Sequence, residues 1–160
     1  MDARTEGTGA AKRGPMPFPQ NLPAVLMRAR EAVMARVRPT LRAHDMTEPQ
    51  WRVLRTLSAL DEIEVTQLAE LVFLLPSSLS RILRDLGERN LVQRRTSQSD
   101  LRRGLVSISP RGMALIQAAA PDTVVVNAEI EQLYGAERMG RLLNLLTELE
   151  DALGQVEASE

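Results

Sequence analysis

The sequence predicts a mainly α fold with one small β-hairpin, and three observations carry that prediction. Apolar residues recur at helical spacing through six separate segments. Trp51, Tyr134, Phe18 and Phe73 are the only aromatic residues, so Leu, Val, Ile, Ala and Met must fill the core, which suits helix-on-helix packing. Between Leu91 and Ile108, two short strand-like runs flank a polar stretch. A chain of 160 residues has room for one domain and one core.

Residues 1–20 are rich in Gly, Pro, Ala and Thr and read as a disordered tail. They contain no apolar run of the kind a secretion signal needs, and no stretch of the chain is apolar enough to span a membrane. With no cysteine there is no disulfide framework or thiolate metal site, and a cytoplasmic protein is expected. Residues 21–160 then read as a single domain.

The first helix starts after Asn21, a good N-cap, with Pro23 in its first turn. Leu22, Val25, Leu26, Ala29, Val33, Val37 and Leu41 mark its apolar face, and Pro39 is expected to bend its end. Thr47 and Gln50 have the spacing of a capping box and open a second helix through Trp51, Leu54, Leu57 and Leu60. The acidic Asp61–Glu64 reads as a connector. A short third helix, Val65–Phe73, turns Leu68, Ala69 and Val72 inward.

Pro76 opens the fourth helix, in which Leu79, Ile82, Leu83 and Leu86 form one buried stripe. Ser77, Arg81 and Arg84 fall on the opposite face, flanked by Ser78 and Ser80. Asn90 stands where a left-handed residue ends the helix. Strands are expected at Leu91–Arg95 and Leu105–Ile108, joined by a long polar loop. Ser109-Pro110 caps a fifth helix that runs to about Tyr134, kinked at Pro121. In the last helix, about Ala136 to Val156, Met139, Leu142, Leu146, Leu149, Leu153 and Val156 keep an uninterrupted a/d repeat, widened by Leu143 and Leu145. So apolar a helix needs more to bury against than this small domain offers, and a second copy of the chain is the expected cover.

Charge is distributed unevenly. Residues 76–111 carry a net +5, residues 112–160 a net −7, and the whole chain −1. A local basic patch suits phosphate neutralisation, and the acidic C-terminal third should face away from a polyanion. A short helix, a tight turn and a second helix are the spacing of a helix-turn-helix, whose second helix presents its N-terminal residues to base edges in the major groove. Ser77, Ser78, Ser80, Arg81 and Arg84 are the expected contacts there. The hairpin becomes a wing: Arg95, Arg102 and Arg103 bracket its tip for phosphate or minor-groove contact, and Asp100 braces Arg102. The architecture is a winged helix-turn-helix, about 47–112, between N- and C-terminal dimerisation helices, about 22–44 and 113–157. Double-stranded DNA is the expected partner. One histidine, no cysteine, no phosphate-binding glycine loop and no metal-ligand spacing leave an enzyme without machinery and imply no cofactor. A winged helix that binds protein rather than DNA is the alternative; it predicts no steep salt dependence of DNA affinity.

At these residues the chain resembles the MarR family of winged-helix regulators. The matching pattern is Leu68-Ala69-Glu70, Ser78-Leu79-Ser80-Arg81, Leu86, Leu91-Val92, Asp100-x-Arg102 and Leu105-Val106-Ser107-Ile108-Ser109-Pro110-x-Gly112. The first two helices are most similar to regulators of homoprotocatechuate (4-hydroxyphenylacetate) degradation operons. They match at Ala29-Arg30-Glu31-x-Val33-Met34, Arg38-Pro39 and Thr47-Glu48-x-Gln50-Trp51-Arg52-Val53-Leu54-Arg55. The resemblance implies a homodimer on a near-palindromic operator, usually a repressor released by a small aromatic or phenolic ligand. Two positions depart from the pattern: Leu75 precedes Pro76 where Ser, Thr or Asp would cap, and Asn90 stands where Gly is common.

Arg30 falls on the apolar side of the first helix, where a guanidinium needs a partner or water. Either it receives a ligand carboxylate, with Trp51 as an aromatic wall and His44 as a hydroxyl partner, or it pairs with Glu31 or a carboxylate of the last helix. In the latter case Trp51 is core and His44 simply exposed.

Overall fold

The computed structural model describes residues 21–96 and 103–157, with side chains to residue 154. Residues 1–20, the wing-tip residues Asp100 and Arg102, and the side chain of Val156 lie outside them. Among the described residues, six helices and three strands follow in the order α1 (Leu22–Ala43), α2 (Glu48–Leu57), β1 (Ile63–Glu64), α3 (Val65–Leu71), α4 (Pro76–Glu88), β2 (Val92–Thr96), β3 (Gly104–Ile108), α5 (Pro110–Tyr134) and α6 (Ala136–Glu157).

Local signals set most boundaries. The Asn21 side chain accepts from the Ala24 N–H at 3.0 Å and starts α1. The capping box of α2 is complete: Gln50 N–H donates to Thr47 Oγ1, and Thr47 N–H to Gln50 Oε1 at 2.8 Å. Ser109 Oγ accepts from Gly112 N–H at 3.0 Å and donates to the Asn90 carbonyl at 2.7 Å, so one hydroxyl caps α5 and ties it to the end of α4. A Cβ at Gly112 would stand 2.1 Å from the Leu91 carbonyl oxygen, so only glycine allows this approach. Both α1 and α5 continue as helices through Pro39 and Pro121.

Three helices end alike. Asp45, Phe73 and Asn90 take φ of 52°, 51° and 58°, and the next residue's N–H reaches back into the helix: Met46 to Leu41, Leu74 to Ala69 and Leu91 to Leu86. The third helix therefore stops at Leu71, short of Phe73, because its chain turns left-handed there.

The connector Asp61–Glu64 holds a strand that its sequence did not announce. β1 pairs antiparallel with β3, Ile63 opposite Val106, and the hairpin becomes a three-stranded sheet in the order β1-β3-β2. β2 and β3 pair from Val92 opposite Ile108 to Thr96 opposite Gly104. The core gathers Leu54 and Leu57 of α2, Leu68 and Val72 at α3, and Leu79, Leu83 and Leu86 of α4. Each such leucine contributes about 1.5–3 kcal/mol on burial. Around this lobe α1 packs along α5, and α5 along α6.

Candidate nucleic-acid interface and the adjoining cleft

The buried stripe of α4 fixes which face looks outward. With Leu79, Leu83 and Leu86 inside, Ser77, Ser78, Ser80, Arg81 and Arg84 are all exposed. Arg81 and Arg84 make no ion pair or hydrogen bond among the described residues, so both are available to a ligand. Gln50 steadies this helix: its Nε2 donates to Asp85 Oδ2 at 2.6 Å while its Oε1 serves the α2 cap.

The wing arginines are differently placed. Arg95 on β2 is bidentate to Glu62, with Nε to Oε1 at 2.8 Å, and Arg103 donates to Glu64 Oε1 at 2.7 Å. Both remain more than half exposed. The β1 region that precedes the helix-turn-helix thus braces the root of the wing. Sequence gave these glutamates no role, because a two-residue strand is too short to show a period.

A second feature lies between α1 and α2. Arg30, Met34, Val37, Glu48, Trp51, Arg52, Arg55 and Thr56 line a cleft of about 370 Å³. Arg30 pairs with Glu31 at 3.0 Å and with Glu48. Arg38 also joins Glu31, at 2.8 Å, and Glu48; that hydrogen bond and the nearby charges hold the Glu31 carboxyl below its ordinary range. Arg52 completes the cluster on Glu48 at 3.0 Å and donates its other nitrogen to the Val72 carbonyl at 2.8 Å, next to the turn that leads into α4.

The cleft joins Arg30 and Trp51 but not His44. His44 pairs with Asp122 of α5 at 2.8 Å and lines a separate cavity with Asp45, Glu88, Arg89, Asn90, Leu91, Arg111 and Leu115, away from the Trp51 cleft. Trp51 is half-buried, packed on the core as well as lining the cleft. Arg55 closes the matching stretch in α2 but was not expected as a ligand contact. It follows Trp51 by one helical turn, and that spacing was the available signal. Among the described residues its side chain has one hydrogen-bond neighbour, Ser58 Oγ at 3.5 Å, and no carboxylate partner.

Known proteins resemble this arrangement. Residues 46–103 match the MarR family. The chain is 34% identical over 128 residues to the homoprotocatechuate degradative operon repressor of Escherichia coli, covering 80% of this chain and 86% of that protein. The solved structure of the transcriptional regulator PA4135 is 34% identical with a TM-score of 0.80, over 83% of this chain and 98% of that one. NadR in complex with 4-hydroxyphenylacetate is 28% identical with a TM-score of 0.68, over 93% of this chain and 97% of that one.

Proposed function

The chain belongs to the MarR family, and from that premise we propose that it is a homodimeric, sequence-specific DNA-binding repressor of an aromatic-compound catabolic operon. A small phenolic or aromatic acid releases it. The observation that carries the DNA reading is the face of α4, where Ser77, Ser78, Ser80, Arg81 and Arg84 stand exposed beside a basic wing. Serines allow close approach to base edges, Arg81 reaches a guanine edge, and Arg84 reaches a phosphate. Arg103 and, from the sequence, Arg102 are assigned to the adjacent minor groove, Asp100 is assigned as the partner of Arg102, and Arg95 sets the wing's root.

The effector reading rests on the α1–α2 cleft. Its aromatic wall is Trp51, and its cations are unequal. Arg30 is engaged by Glu31 and Glu48, which it shares with Arg38 and Arg52, whereas Arg55 has no carboxylate among the described residues and is the better first recipient of a ligand's. A bound acid also competes with Glu48 for its arginines. Because Arg52 links Glu48 to the Val72 carbonyl, that competition bears on the turn before α4. Ligand binding need only favour a dimer whose reading helices are no longer spaced for major grooves about 34 Å apart.

The test is a gel shift on the DNA flanking the gene, with and without a panel of hydroxylated aromatic acids. The expected result is a complex that weakens steeply with salt and dissociates with one class of acid. That acid should raise the melting temperature of wild type, raise that of Arg30→Ala less, and leave Arg55→Ala unchanged. Equal shifts in all three proteins would remove the cleft as its site.

A further inference from the structure

Two neighbouring positions at the mouth of α4 break local rules without any packing in return. Of the three left-handed helix ends, two use Asp45 and Asn90, short polar residues that tolerate positive φ. The third uses Phe73, a bulky residue for which this conformation is costly, and it is 82% exposed. Two residues on, Leu75 occupies the N-cap of α4, and that helix has no side-chain cap. A Ser, Thr or Asp there would typically add about 1 kcal/mol, yet Leu75 is 72% exposed. Val72 is buried and Leu74 half-buried, so the turn alternates and sends Phe73 and Leu75 outward. Leu71, at the end of α3 and 55% exposed, extends the same edge.

We propose that Leu75 and Phe73 are an apolar reader of thymine, packing on a thymine C5-methyl group in each half of the bound duplex. The inference rests on α4 being the groove-entering helix and deepens that reading. This edge is continuous in sequence with Ser77 and Ser78, at the end of α4 that meets base edges. The thymine methyl is the one apolar feature that a base pair offers in the major groove. Serine hydroxyls bond to donors and acceptors alike and select weakly, so a methyl reader supplies preference that they do not. Backbone strain and a missing cap are features proteins tolerate where function over-rides local stability.

The experiment begins with wild-type protein selecting duplexes from a randomised pool. The enriched duplex is remade with deoxyuridine for thymine at one symmetric pair of positions at a time, which removes only the methyl groups. At one such pair the dissociation constant should rise about four- to fifteenfold, the size expected for losing one or two buried methyl contacts. Leu75→Ser and Phe73→Gly install residues that the backbone prefers, so both should melt at or above the wild-type temperature. Leu75→Ser should then bind thymine and uracil duplexes equally, and Phe73→Gly should discriminate less than wild type. Indifference of wild type to uracil at every position overturns the proposal and leaves the patch for a protein partner; so does full discrimination in both variants. Failure to enrich any duplex would instead remove the DNA-binding reading, and this proposal with it.

Discussion

Arg81 and Arg103 are both exposed arginines on the proposed DNA face, but their surroundings give them different work. Among the described residues Arg81 has no partner to give up, whereas Arg103 and Arg95 are engaged by Glu64 and Glu62. Exposed pairs of this kind contribute roughly 0–1 kcal/mol, so a phosphate can displace the glutamate. The displaced carboxylates then stand near the polyanion and repel it. Glu62→Gln with Glu64→Gln should therefore tighten binding to every DNA sequence several-fold, with sequence preference unchanged. Arg81→Ala should cost about 1–3 kcal/mol and relax preference at one base pair. Anisotropy titrations of matched and scrambled duplexes at several salt concentrations separate the two effects. Equal loss on both duplexes for Arg81→Ala would place that side chain on the backbone instead. The outward placement of Arg81 was legible from helical spacing alone. The engagement of Arg95 was not, because Glu62 lies 33 residues away in sequence and meets it only through the sheet.

Helix α2 joins what the other helices do separately. Its first turn holds Glu48, on which Arg30, Arg38 and Arg52 converge, and Gln50, which both caps the helix and grips Asp85 of α4. Gln50→Ala removes a capping acceptor and an inter-helix bond together, and should lower stability by about 1–2 kcal/mol. Gln50→Glu keeps the acceptor but turns a carboxylate toward Asp85. It should retain the cap, lose part of that stability, and weaken DNA binding more than its melting temperature explains, because the reading helix loses its tether. Denaturant titrations beside DNA titrations measure both. If affinity falls only in step with the folded fraction, the tether does not position α4. Half of this was written locally: the Thr47–Gln50 spacing announces the cap. The other half depends on Asp85, 35 residues on and beyond the reach of any local pattern. The strand β1 was hidden for a related reason. Two residues carry no periodicity, and only the register of Ile63 on Val106 makes them a strand.

One chain leaves its long helices uncovered. Leu22, Val25, Leu26 and Val33 on α1, Val124, Val125 and Leu133 on α5, and Leu142, Leu143, Leu145, Leu146 and Leu153 on α6 are all exposed, whereas the DNA-binding lobe has a closed core. The a/d seam of the last helix was legible in sequence. What sequence could not separate was packing within the chain from packing against a copy, since both use the same apolar period. Leu146 and Leu153 lie on the seam and stay exposed even with α5 packed alongside. Large apolar side chains left exposed along three helices are the pattern of a face that an assembly covers. Charge agrees with a role away from DNA, because residues 112–160 carry a net −7 that a polyanion would repel. Replacing both leucines, Leu146→Glu with Leu153→Glu, would set like charges against each other across a two-fold axis. The lobe's core contains neither residue, so it should stay folded, with unchanged cooperativity in its denaturant transition. Sedimentation should shift from dimer to monomer. Affinity for a two-half-site duplex should fall about 100-fold or more as binding becomes monovalent, while affinity for a single half-site changes little. Retained tight binding by a monomeric variant would mean that one reading helix and one wing suffice, and that half-site spacing has no part in specificity.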